Sequence, residues 1–144
     1  MITTLWAGKS FWKSILAERY YQINKPEEET DIVIEFKNNK ESGLGIALPK
    51  GRVRLYQEDK DDSSLEFIGE DAIDHTPADE DVRLTIGNAF DISYDYDQVE
   101  GRKSQGYEYY KYHCSLRNHK DEDVGIRFDY NIWETWEMVG SSHE

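Results

Sequence analysis

Asp59-Lys60-Asp61-Asp62-Ser63-Ser64-Leu65, closed by Glu70, is the stretch that most resembles a reactive site. Asp59, Asp61, Ser63 and Glu70 fall at positions 1, 3, 5 and 12 of a calcium loop, the order in which hard oxygen donors wrap that cation. The template also asks for glycine at position 6 and an apolar residue at position 8, where this chain has Ser64 and Glu66. Aspartates and serines in this density also make an ordinary solvated hairpin turn, which is the reading favoured here. Asp74, His75 and Thr76 have the types of a nucleophilic constellation. Neighbouring side chains in an extended segment point to opposite faces, however, so no base is aimed at the hydroxyl. His75 is expected to hydrogen-bond near a turn, with Pro77 setting the chain direction. His113, His119, Asp121 and Asp123 are metal-type side chains near a hairpin, but their spacing fits no zinc template, so a charged turn is expected.

The tyrosines are the more promising surface. Tyr94, Tyr96, Tyr107, Tyr109, Tyr110 and Tyr112 lie on two consecutive extended runs. An exposed aromatic row stacks on a sugar or grips a protein, and Tyr94, Tyr96, Tyr107 and Tyr109 are the candidate binding surface. Cross-strand ring pairing would explain the same residues structurally. Cys114 is the only cysteine, which excludes an internal disulfide and a cysteine-based zinc site. Its alternation with Tyr112 and Leu116 predicts an inert, inward-facing thiol. Gly43-Leu44-Gly45 lacks the rest of a dinucleotide fingerprint, and no phosphate-binding or zincin motif occurs. No residue is assigned a catalytic, cofactor-binding or firm metal-binding role. Carboxylate pairs for a hydrolase cannot be picked out of 30 acids without distances.

The elements that must position these groups are strands. Short apolar pieces, Ile46–Leu48, Val53–Gln57, Leu65–Gly69 and Val82–Ile86, are separated by acidic and glycine turns, a spacing that points to an all-β sandwich or barrel. Asp31–Lys37 sets Ile32, Ile34 and Phe36 against Val33, Glu35 and Lys37, the period-2 pattern of a half-buried strand. Ile15–Ile23 reads as one strand, Lys25-Pro26 with the glutamates after it as a turn, and Asn38–Gly43 as a turn-rich loop. Gly101–Gly106 reads as a mobile hairpin loop. Tyr107–Asn118 reads as a long strand with Tyr110, Tyr112, Cys114 and Leu116 inward. Val124 to Ile132 then alternates as its partner strand, and Trp133, Trp136 and Met138 continue the apolar pattern. Residues 1–14, with Leu5, Trp6, Phe11 and Trp12, are expected to dock on the body as a short helix or first strand. The expectation is one domain over 1–144: a single antiparallel β-sandwich, immunoglobulin- or fibronectin-like, of about 8–9 short strands with an open edge.

Composition bounds the partners. Seventeen basic against 30 acidic residues give a formal charge of −13, which repels phosphate backbones and anionic membrane surfaces. No run of 18 apolar residues is present to span a membrane, and the N-terminus has no signal-peptide h-region. The 13% aromatic content offsets a modest 38% hydrophobic content, since each large ring buries roughly 150–250 Å².

The run GLGIALPKGRVRLYQEDKDDSSLEFIGEDAIDHTPADEDVRLTIGNAFD resembles the domain-of-unknown-function family numbered 4139. LRNHKDEDVGIRFDY and WEMVGSSH are similar to that family's second characteristic block, so the resemblance spans roughly Asp31 to His143. It implies a β-sandwich module carried near the C-terminal end of longer, frequently exported bacterial proteins, and brings no reaction, cofactor or catalytic residue with it. The family continues beyond the SSH block with further strand sequence, whereas this chain stops at Glu144. An edge left open in this way is expected to be covered by residues 1–14 or by a second copy. The expected function is therefore a non-enzymatic structural or protein-interaction module without cofactors, with a homodimer as one form of partner. The alternatives are a carbohydrate- or calcium-binding module, through the tyrosines or the acidic hairpin 59–64, and more distantly a carboxylate-based hydrolase.

Overall fold

A computed structural model describes residues 2–7, 11–24, 29–59, 61–129, 135 and 137–141, with side chains from Lys13 onward. The proposed Lys25-Pro26 turn and the apolar positions Ile132, Trp133 and Trp136 lie outside the described residues. Ten strands and no helix make up the described chain. They are β1 (Ile2–Ala7), β2 (Phe11–Leu16), β3 (Glu18–Ile23), β4 (Thr30–Lys37), β5 (Gly51–Glu58), β6 (Leu65–Ile73), β7 (Asp81–Ala89), β8 (Ile92–Ser104), β9 (Tyr107–Asn118) and β10 (Ile126–Phe128).

Two four-stranded sheets, ordered β2-β1-β5-β6 and β10-β3-β4-β7, share one core. Alternation builds it. Val53 and Leu55 of β5 enter from the first sheet, and Ile34 and Phe36 of β4 with Val82 and Leu84 of β7 from the second. All six are at most 5% exposed, and burying such a side chain is worth about 1.5–3 kcal/mol. Their in-between neighbours Arg52, Arg54, Arg83 and Thr85 stay accessible. Leu44 and Leu48 close the core from the loop after β4. That loop is tied down by Asn38, a fully buried amide. Its Nδ2 donates to the carbonyls of Ile46 and Pro77, both at 2.7 Å, and its Oδ1 accepts from Gly45 N.

Several expectations need correction. Ten strands occur where 8–9 were expected, and the pairing is mixed: β10 runs parallel to β3. The strand expected over Val124–Ile132 is limited among the described residues to Ile126–Phe128, and it pairs with β3 instead of β9. The single strand Ile15–Ile23 is two strands in different sheets. The chain crosses the sandwich at Ala17, 5% exposed, because Ile15 packs in the shared core while Tyr21 and Ile23 are buried in the second sheet. Val33, placed by alternation on the polar side of β4, is fully buried opposite Tyr20, so this strand has apolar cover on both faces. The hairpin β1–β2 pairs through β1 with β5, so residues 2–7 and 11–16 extend the first sheet as strands rather than as a helix.

Gly69 lies where β6 of the first sheet packs directly against β7 of the second. It sits at the β5–β6 bulge with φ +153°, and a Cβ there would stand 2.5 Å from Ile86 Cβ and 2.7 Å from Ile86 O of β7. Only glycine suits that approach.

Candidate functional site

The third sheet is the two-stranded ribbon β8–β9, to which no other described strand hydrogen-bonds. Thirteen and twelve residues at about 3.4 Å each make an arm roughly 40 Å long. Its base is fastened to the body. Ile92 is buried, His119 N donates to Asp91 O, and Lys120 Nζ lies 2.7 Å from Asp91 and against the Tyr21 ring. Its far end closes in a two-residue turn, Gln105-Gly106, both at positive φ as a tight hairpin requires. Gly101–Ser104, expected as loop, is therefore strand.

Register decides which tyrosines act together. Tyr94 opposes Leu116, Tyr96 opposes Cys114, and Gln98 opposes Tyr112; a bulge at Val99 then puts Gly101 opposite Tyr110. One face of the arm consequently carries Tyr94, Tyr96, Tyr110, Tyr112, Cys114 and Leu116. Phe128, Tyr96, Tyr112 and Tyr110 stack in sequence at ring-centroid distances of 5.7, 5.1 and 6.3 Å. The Tyr110 ring lies over Gly101, 3.5 Å from where a Cβ would be, and so covers bare backbone. Its hydroxyl donates to Glu108, which also pairs with Lys103; together they lower the Glu108 carboxyl, Lys103 contributing most, and Glu108 raises the Tyr110 phenol.

Tyr107 and Tyr109 fall on the opposite face, so the four-residue surface Tyr94, Tyr96, Tyr107 and Tyr109 is not one row. The stacked line uses Tyr96 with Tyr112 and Tyr110 instead. Tyr110, Tyr112, Cys114 and Leu116 do share a face, as alternation requires, but that face is exposed, not inward: Tyr110 is 48% and Leu116 45% accessible. Cys114 is exposed with it, contrary to the buried thiol expected. Partial desolvation, then the nearby Asp95 carboxylate, pushes its thiol above the ordinary value, away from nucleophilic use.

Toward the base the opposite face is polar. An open depression of about 510 Å³ is lined by Asp95, Asp97, His113, Ser115 and Arg117 together with Tyr94 and Tyr96. Arg117 pairs with Asp95 at 2.5 Å, and Arg102 stacks over Tyr109 at 5.0 Å. The charged walls are exposed, so the depression does not exclude the water that would screen a developing charge.

The other sequence candidates are dispersed. Asp59 and Asp62 are taken up by the β5–β6 turn, accepting from the backbone of Asp61 and Ser64, and Ser63 adopts φ +58° there. Glu70 lies in mid-strand, opposite Arg54, and binds Arg54 at 2.9 Å as well as Arg52. These guanidiniums, Arg54 first, lower its carboxyl, and Asp59, Asp61 and Glu70 form no group arranged to hold a metal ion. No group of three or more His, Cys, Asp or Glu among the described residues is arranged to hold a metal ion. His75 Nδ1 accepts from Lys50 N, and Asp74 pairs with Lys50 Nζ at 2.7 Å, which pins the segment to the start of β5. His119 meets Ser93 Oγ at 3.2 Å, away from His113 in the depression. No described helix is long and apolar enough to cross a membrane.

Sequence reasoning missed Asn38 and Gly101. Both sit in segments that read as turns, and only their distant partners show what they do. Comparison with known proteins finds no match, whether to a protein-family model, a curated protein or a solved structure.

Proposed function

We propose that this chain is a non-enzymatic interaction module: an immunoglobulin- or fibronectin-like sandwich that presents the β8–β9 ribbon to a protein partner. One observation carries the reading: a roughly 40 Å arm, to which no other described strand hydrogen-bonds, holds a line of stacked rings that runs from half-buried Tyr96 to exposed Tyr112 and Tyr110. Folding alone gives little reason to keep such a face wet, whereas tyrosines are favoured at protein interfaces for their large, stiff contact area. Among the described residues no strand pairs with the outer edges of β8 and β9, and a sheet edge is the means by which one sheet recruits a strand from another chain.

The resemblance to the domain-of-unknown-function family numbered 4139 supports the same reading, since a sandwich module within a longer chain works through what it touches. A sugar platform fits the rings less well. Sugars stack on rings that lie flat and open, whereas Tyr96, Tyr112 and Tyr110 lean face to face on one another. The test is a photo-reactive amino acid placed at Tyr110, with the same group at Arg52 on the body as control. Discrete protein adducts from position 110 alone are expected; equal labelling at both positions, or none, would reject the ribbon as the interaction surface.

A further inference from the structure

We infer that the partner which pairs with the ribbon edge is a second copy of this chain, joined antiparallel through β9 to give the four-stranded sheet β8-β9-β9-β8. This rests on the interaction reading above and names its occupant.

Charge makes the first argument. Residues 92–118 contain four acids (Asp95, Asp97, Glu100, Glu108) and four bases (Arg102, Lys103, Lys111, Arg117), so the whole −13 resides on the rest of the chain. Two copies approaching body to body repel each other. Two arms overlapped antiparallel hold their bodies at opposite ends of a joint sheet, roughly 40 Å apart, well beyond the Debye length of about 8 Å at physiological salt. Each arm tip, where Arg102, Lys103 and Lys111 outnumber Glu100 and Glu108, then approaches the other copy's acidic body.

The two edges are not equivalent. β8 is interrupted by the bulge at Val99, a device that spoils edge pairing, whereas β9 runs regularly from Tyr107 to Asn118.

Register supplies the second argument. A two-fold axis perpendicular to the sheet keeps each face continuous, and residues i and j then meet reciprocally. With the axis at His113, Tyr110 opposes Leu116 of the other copy and Tyr112 opposes its Cys114, ring against apolar on one face. On the other face Tyr109 opposes Arg117, a cation–π pairing, and Lys111 opposes Ser115. Shifting the axis to Cys114 sets Lys111 against Arg117, like against like. Shifting it to Tyr112 sets Glu108 against Leu116. Of these three registers the central one alone avoids both a like-charge pair and a charge set against an aliphatic side chain.

The test uses the full chain. Sedimentation equilibrium should show a dimer, and Tyr110→Lys with Leu116→Lys should weaken it at least about tenfold while near-ultraviolet dichroism of the body is retained. Directly opposed residues of an antiparallel pair have Cα atoms about 4.5–5.5 Å apart, within disulfide range. His113→Cys with Cys114→Ser should therefore oxidise to a covalent dimer, and Asp97→Cys with Cys114→Ser, on β8, should not. A monomer at about 100 µM, or equal cross-linking from both positions, overturns the inference. If the position-110 adducts are then to other proteins, the second-copy assignment alone has failed; if there are no ribbon-dependent adducts either, the interaction reading has failed with it.

Discussion

The body and the ribbon are built on the same alternation, and it does opposite things in them. In β4 and β7 the every-second-residue positions Ile34, Phe36, Val82 and Leu84 are at most 5% exposed because a second sheet lies over them. In β9 the same spacing gives Tyr110, Tyr112 and Leu116 at 40–48% exposure, because the described chain supplies no layer to cover them. Period-2 patterning thus fixes which side chains travel together. What it leaves open is whether the shared face is a core or a contact surface.

Truncation should separate the two regions most strongly. Leu84→Ala is expected to lower unfolding free energy by about 2–5 kcal/mol in a denaturant titration, through lost burial and a residual cavity. Tyr110→Ala in the ribbon should lower it by no more than about 1 kcal/mol; an equal loss at both sites would make the ribbon part of the core. Gly69→Ala probes the join between sheets. Its Cβ would meet backbone and Cβ of Ile86, so a loss above about 1 kcal/mol is expected, read as a lower unfolding midpoint at unchanged m-value. Asn38→Ala removes a buried amide that donates to the carbonyls of Ile46 and Pro77 and accepts from Gly45, at a cost of about 1–3 kcal/mol. Hydrogen exchange should quicken at Gly45 without spreading to the ribbon.

The smallest effect is electrostatic. Glu70 has its carboxyl lowered from the ordinary 4.5 by Arg54 and Arg52, so below that value the unfolded chain binds the proton more readily. Its contribution is present above about pH 4.5 and is lost as pH falls through the lower folded value. Stability of Glu70→Gln should therefore run below the parent at neutral pH and converge with it in acid. Glu70 is still partly open to solvent, so the gap is small, and parallel curves would show that the pairing does not matter.

Much of the body was legible as elements. DIVIEFK gave β4 with Ile34 and Phe36 inward, though not the burial of Val33, and the apolar piece Val82–Ile86 lies within β7, because a half-buried strand carries its pattern in its own side chains. The site was legible only in part. Tyrosines on two consecutive strands were visible, but their grouping depended on a one-residue bulge at Val99 and on pairing between residues 9 to 22 positions apart, from Gly101 with Tyr110 to Tyr94 with Leu116, neither of which has a local signature. Ala17 offers the same lesson: nothing in Ile15–Ile23 says that the chain changes sheets there.

By itself, then, the amino-acid order determined that this protein is made of strands, which residues lie on a common side of each, and that acids crowd its turns. Those properties follow from the two-residue repeat of extended backbone and from turn chemistry, which act over a few residues. Tertiary structure decided that β10 runs parallel to β3, that Val33 is covered on the second side of its strand, and that Tyr96, Tyr112 and Tyr110 form one stacked line. Each of those depends on which distant segment lies alongside, a matter settled by the packing of the whole chain.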